Sequence, residues 1–204
     1  MVFDLPYIKC PKLTGNIKND VENLLIENKK EETASHCVKV AETCMCLAER
    51  FHLDKTAAYC SGILHDVSNI MKPTDMLEYA GSNDWYIDES ERKHNFILHQ
   101  RISAVAAKDY YNVLDENILS SIECHSTLKA NASEYDMLLF LSDKISWDQH
   151  GTPPFFDVVH EALNSSLMAA SLAYINYVLD HNMILYPHKW LTEAKLWLEK
   201  YCTV

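Results

Sequence analysis

The chain has 204 residues, 48% apolar and 23% charged, enough to bury a core without disulfide staples. Its net charge of −11 argues against the basic surface of a nucleic-acid binder and against attraction to an anionic membrane. Its four glycines (Gly15, Gly62, Gly81 and Gly151) are too scattered for a phosphate-cradling loop and too few for a turn-rich all-β fold.

In chain order, residues 1–15 read as an N-terminal extension and 16–204 as one domain. Apolar residues recur at helical spacing almost throughout. Residues 16–30 carry Ile17, Val21, Leu24 and Leu25; residues 35–51 carry Val40, Cys44, Leu47 and Phe51. Asp54 is placed to cap a helix that ends near His65-Asp66. A connection over 67–73 closes at Pro73, and a short helix through Met76, Leu77 and Tyr79 stops at Gly81. Residues 81–89 read as a loop in which Trp85 and Tyr86 serve either to stack on a base or to anchor the loop. Helices are predicted over 97–111, 118–123 (capped by Asp115) and 134–146. A loop over 147–154 precedes one long helix over 155–182, whose stripe of Phe155, Val158, Val159, Leu163, Leu167 and Ala170 reads as core. A last helix covers 188–201. The fold class is all-α, with at least seven helices and no sheet of three or more strands.

Seven cysteines, an odd number, read as reduced and mostly buried thiols. The first residues lack a cationic segment followed by a long apolar one, so no signal peptide is expected and the chain reads as cytoplasmic. No stretch is apolar enough to span a membrane.

Ten histidines and 14 aspartates give about 0.7 His-Asp dipeptides by chance, so His65-Asp66 alone says little. Its setting says more. The pair ends an apolar helix, and His36 lies near the start of the helix before it. Asp143 sits in the run Leu-Leu-Phe-Leu-Ser-Asp-Lys-Ile, where a carboxylate needs a cation or a metal. Two imidazoles and two carboxylates suit iron, manganese or a similar divalent ion. His99 and His125 also fall at helix ends. His94, five residues before His99, competes with it and is assigned to the surface. His52, His160, His181 and His188 carry no expected chemistry.

Five ordered segments carry a resemblance: residues 36–41 (His-Cys-Val-Lys-Val-Ala), 62–67 (Gly-Ile-Leu-His-Asp-Val), 98–104 (Leu-His-Gln-Arg-Ile-Ser-Ala), 122–127 (Ile-Glu-Cys-His-Ser-Thr) and 140–145 (Phe-Leu-Ser-Asp-Lys-Ile). Together, over about residues 16–195, they resemble the HD superfamily of metal-dependent phosphohydrolases, and in closer detail its YqeK-type branch. That branch hydrolyses diadenosine tetraphosphate symmetrically to two ADP at an iron-dependent site. The resemblance implies a metal held by His36, His65, Asp66 and Asp143. His99 and His125 then bind phosphates or complete a second metal site bridged by Asp66. Asp66, His99 and His125 are the implied catalytic residues, with a metal-bound hydroxide as nucleophile. Metal affinity is expected to fall below about pH 6, where imidazoles are protonated.

The resemblance also implies a nucleotide site at Thr33, His99, His125, Asp143, Lys144 and Gln149. At Thr33 and near Gln149 the branch carries arginines that clamp a polyphosphate; Lys144, His150, Lys93 and Arg101 are candidate substitutes. The expected cofactor is one or two divalent ions, iron or manganese. The expected partner is a small nucleotide, with neither nucleic acid nor membrane; a homodimer is compatible with this reading. The other readings are a nucleotide-binding protein with reduced catalysis and a nucleoside mono- or diphosphate phosphatase.

Overall fold

The computed structural model describes residues 2–147 and 150–202. Among them are eleven α-helices, two 3-10 helices and no strand. Helix α1 (Ile17–Glu27) starts at Asn16, whose side chain accepts from the Asn19 amide. The longest helix, α2 (Glu31–Arg50), spans 20 residues and buries Cys37, Val40, Ala41, Cys44 and Leu47. Asp54 caps α3 (Lys55–Leu64) by accepting from the amides of Thr56 and Ala57.

Helices α2 and α3 pack almost backbone to backbone. A Cβ on Gly62 would lie 2.6 Å from Ala41 Cα and 2.8 Å from Ala41 N, so only glycine fits there. This close packing brings the ends of α2 and α3 that carry His36 and His65 together.

A 3-10 helix (Val67–Ile70) follows α3, and Pro73 opens α4 (Pro73–Ser82), where its missing N–H costs nothing. The expected loop over 81–89 is shorter than predicted. Helix α4 continues through Ser82, and a capping box between Asp88 and Glu91 starts α5 (Glu89–Lys93). A second 3-10 helix (Asn95–Leu98) leads into α6 (His99–Asp109), which replaces the predicted helix start at 97. Next come α7 (Glu116–Cys124), capped by Asp115, and α8 (Glu134–Ile145), opened by a capping box between Ser133 and Asp136.

The single helix predicted over 155–182 is two, α9 (Phe156–Ala162) and α10 (Leu167–Asp180). Leu163 and Leu167 are both buried, so the apolar period runs unbroken across the gap. The break comes from Ser166, whose Oγ accepts from the Ala169 amide at 3.0 Å and starts a new helix. Val158, read as core, is 40% exposed. Helix α11 (Lys189–Tyr201) packs on α10 and completes the fold.

The core draws on Ile63, Leu64, Ile102, Ile122, Leu138 and Phe140, all fully buried. Residues before α1 join it: Val2 and Phe3 are buried, and Phe3 meets Tyr110 edge-on at 5.8 Å. All seven cysteines are free. Three are buried (Cys37, Cys44 and Cys124), whereas Cys10 and Cys46 are exposed, fewer buried than the sequence suggested. Among the described residues, no helix is long and apolar enough to cross a membrane.

Candidate metal centre and active site

Helix ends converge on one cavity of about 850 Å³. His65 follows the last residue of α3, and Asp66 precedes the first 3-10 helix. His99 opens α6, His125 follows α7, Asp143 lies in the last turn of α8, and His36 lies in the second turn of α2. Helix ends suit imidazoles because their last carbonyls lack amide partners. His65 Nδ1 donates to the Gly62 carbonyl at 2.7 Å and His125 Nδ1 to that of Ile122 at 2.8 Å. His99 Nδ1 donates to the Phe96 carbonyl at 2.6 Å. Each bond reaches back three residues, and each leaves Nε2 directed into the cluster.

Those Nε2 atoms crowd the two carboxylates. Asp66 Oδ1 lies 3.1 Å from His99 Nε2 and 3.5 Å from His125 Nε2, and Asp66 Oδ2 lies 3.5 Å from His65 Nε2. Asp143 Oδ1 lies 3.1 Å from His36 Nε2 and 3.7 Å from His65 Nε2. Ligand atoms of His36, His65 and Asp66 lie within 4.8 Å of one another, as do those of Asp66, His99 and His125. Asp66 belongs to both triads.

The cluster fits a divalent cation. With Nδ1 donating to a carbonyl, a neutral ring carries only a lone pair at Nε2. Yet His99 Nε2 and His125 Nε2 face each other at 3.0 Å, and His65 Nε2 and Asp66 Oδ1 are buried without a hydrogen-bond partner. Nitrogen lone pairs and carboxylate oxygens packed this way need positive charge among them. The cavity wall carries three carboxylates (Glu32, Asp66 and Asp143) against two ammonium groups (Lys39 and Lys144), which leaves it anionic with neutral imidazoles. One divalent ion reverses that sign, as an anionic substrate requires.

Electrostatics point the same way. Burial alone would raise the Asp66 carboxyl, but the His65 ring, with those of His125 and His99 beside it, holds it well below the usual range. Burial likewise opposes ionisation of Asp143, and Lys144 and His36 overcome it. Burial pushes His125 down to about 4, which keeps its ring neutral and able to ligate.

The structure brings together all six residues named as metal or catalytic candidates. Thr33 and Lys144 also line the cavity, and Lys144 Nζ donates to Asp143 Oδ2 at 2.6 Å. Gln149 lies outside the described residues. His94 is exposed, as assigned. Arg101 is not a substitute cation: its Nη1 binds the Tyr86 carbonyl at 2.9 Å and Glu91 at 3.3 Å, and its guanidinium lies over the Trp85 ring. Trp85 therefore anchors its loop. Lys93 lies over the Tyr186 ring, and neither it nor His150 lines the cavity. Sequence reasoning missed Lys39, Phe96 and Ser126 in the wall. Lys39 had a legible signal, since it stands one helical turn after His36. Phe96, whose ring stacks on His99 with centroids 4.5 Å apart, had none.

An all-helical chain with this cluster at its helix ends belongs to the class that binds divalent metals through mixed imidazole and carboxylate ligands. A family model described as HD domain matches residues 33–148, more than half of the sequence. The chain belongs to the HD-domain family and, with it, to the HD superfamily of phosphohydrolases. It is 37% identical over 147 residues to a Lactococcus lactis subsp. cremoris protein called "Uncharacterized protein in pepC 5'region", covering 72% of this chain and 75% of that one. It is 25% identical over 178 residues to the symmetrical bis(5'-nucleosyl)-tetraphosphatase of Halalkalibacterium halodurans, covering 83% and 91%. A solved structure from Clostridium acetobutylicum, described as a predicted HD superfamily hydrolase involved in NAD metabolism, superposes with a TM-score of 0.78. It covers 89% of this chain and 96% of that one at 22% identity, a likeness of fold.

Proposed function

We propose that this protein hydrolyses nucleoside polyphosphates, with diadenosine tetraphosphate cleaved symmetrically to two ADP and iron as the native metal. The observation that carries this reading is the pair of triads sharing Asp66 in a cavity that also has aromatic walls. The triads suit phosphoryl chemistry, and the rings of Phe96, Trp147, Phe155 and Tyr174 suit a nucleobase. The names of the tetraphosphatase relatives support the substrate.

In this reading His36, His65, Asp66 and Asp143 hold one ion, and His99 and His125, with Asp66 shared, hold a second or face the phosphates. A divalent ion bound there would supply an activated water and polarisation of a phosphoryl oxygen. Asp66 is placed to orient that water and accept its hydrogen bond. Lys144 neutralises Asp143 through its outer oxygen and keeps the carboxylate fixed. The carbonyls of Gly62, Phe96 and Ile122 fix the ring orientations, so the imidazoles need no reorganisation when substrate enters.

Thr33, with no cation where the YqeK-type branch has one, favours a second reading: a phosphatase of nucleoside mono- or diphosphates, or a nucleotide binder with reduced catalysis. Turnover of diadenosine tetraphosphate, ATP, ADP and AMP with iron or manganese, and its loss on chelation, separates these. The first reading expects the dinucleotide to turn over fastest. Preferred release of inorganic phosphate from AMP or ADP selects the second, and binding without turnover selects the third.

A further inference from the structure

Resting on the phosphohydrolase reading, we propose that Lys39 is a substrate-binding residue. It holds a phosphate beyond the one under attack, so the site selects nucleotides with an extended phosphate chain. Thr33, His36 and Lys39 follow one another at intervals of three on α2, and all three line the cavity. Residues at that spacing share a helix face, with a rise of about 4.5 Å per step. The cation that the branch carries one turn before His36 is thus supplied one turn after it.

The commitments of the neighbouring cations single Lys39 out. Lys144 is spent on Asp143, and Arg101 on Glu91 and the Tyr86 carbonyl. Lys39 is exposed, and its Nζ donates to one neutral acceptor, the Trp147 carbonyl, at 2.8 Å. No carboxylate among the described residues lies within ion-pair distance of it. An ammonium group has three donors, so two remain for an anion. The carbonyl bond holds the flexible side chain at the cavity rather than free in solvent. Ordering that side chain before substrate arrives lowers the cost of binding. In this proposal a nucleotide meets the His36 face with one phosphate and Lys39 with the next phosphate of the same chain. A monophosphate cannot use both.

The test is a calorimetric titration of the manganese-loaded protein with ADP and with AMP, the metal held at fixed excess. Wild type, Lys39→Met and Lys39→Arg are compared. Lys39→Met is expected to weaken ADP about tenfold and to leave AMP within twofold of wild type. Lys39→Arg is expected to recover most of the ADP affinity, because the cation and not the lysine shape is what matters. ADP binding to Lys39→Met should also show a shallower salt dependence. Lys39 is exposed, so both variants are expected to melt with wild type. Equal losses for ADP and AMP, or no loss for either, overturn the proposal. Failure of hydrolysis is a separate outcome: a wild type that turns over no nucleotide but keeps the ADP–AMP contrast at Lys39 retains this inference and loses the hydrolase reading.

Discussion

Asp66 faces His65 with one oxygen and His99 and His125 with the other, so its replacement removes a carboxylate from both triads at once. Asp66→Ala is expected to lose bound metal and activity together, measured by elemental analysis on a variant shown to be folded. Full metal occupancy in that variant contradicts the shared-ligand arrangement. Thr33 offers the opposite change. An arginine there places a cation one turn before His36, and a charge-assisted bond to phosphate is worth about 1–2 kcal/mol more than a neutral one. Thr33→Arg is therefore expected to lower KM about tenfold, read from initial rates at saturating metal. An unchanged KM contradicts a phosphate contact at position 33. At this scale the residues that cluster were legible, because residue type and helix-end position both point to them. The Glu91–Arg101–His188 cluster was not. His188 caps α11 through the Trp190 amide and turns Nε2 toward Glu91 at 3.5 Å, and that pairing joins residues nearly a hundred positions apart. Arg101 looked available only because its partner could not be seen.

Helix α3 depends on Gly62, which serves packing and chemistry together: it admits Ala41 to close contact, and its carbonyl orients His65. Gly62→Ala is expected to cost about 1–3 kcal/mol through overpacking. It is also expected to weaken metal affinity by separating His65 from His36. A thermal melt and a metal titration check the pair, and a melt that matches wild type contradicts the close packing. Helix α1 depends on Asp20, buried under the segment before it and accepting from Thr14 N, Thr14 Oγ1 and Gly15 N. Burial would raise this carboxyl, but the bonds from Thr14 and Gly15 hold it below the ordinary value. A depressed carboxylate stabilises the fold above its unfolded value of about 3.9, and the contribution fades as pH falls through the lower folded value. Amides of residues 14–15 should therefore lose exchange protection on acidification below about pH 4, and Asp20→Asn should lose it already at neutral pH. Protection that does not change with pH contradicts the role. Most elements were legible from apolar spacing and capping residues, Asp54 and Asp115 among them. The α9–α10 break was not, because Leu163 and Leu167 keep the period while a serine side chain ends it. The capping box of α5 was visible as Asp88 and Glu91, and was obscured by the polar run around it.

Across the whole molecule, five helix ends from distant parts of the sequence meet in one cavity, and the fold exists around that meeting. A far-UV spectrum is expected to show helix without strand, and a dominant strand signal contradicts the fold. The all-α class was readable from periodicity and glycine scarcity. The cavity's aromatic wall was not, since Phe155 and Tyr174 obey the core pattern and line the cavity from within it. The central claim is that this wall and the shared Asp66 serve symmetrical cleavage of a dinucleoside tetraphosphate. Chromatography of the products from diadenosine tetraphosphate with iron-loaded protein tests it most directly. ADP as the sole nucleotide product is the predicted result, and AMP with ATP in equal amounts, or no product at all, contradicts it.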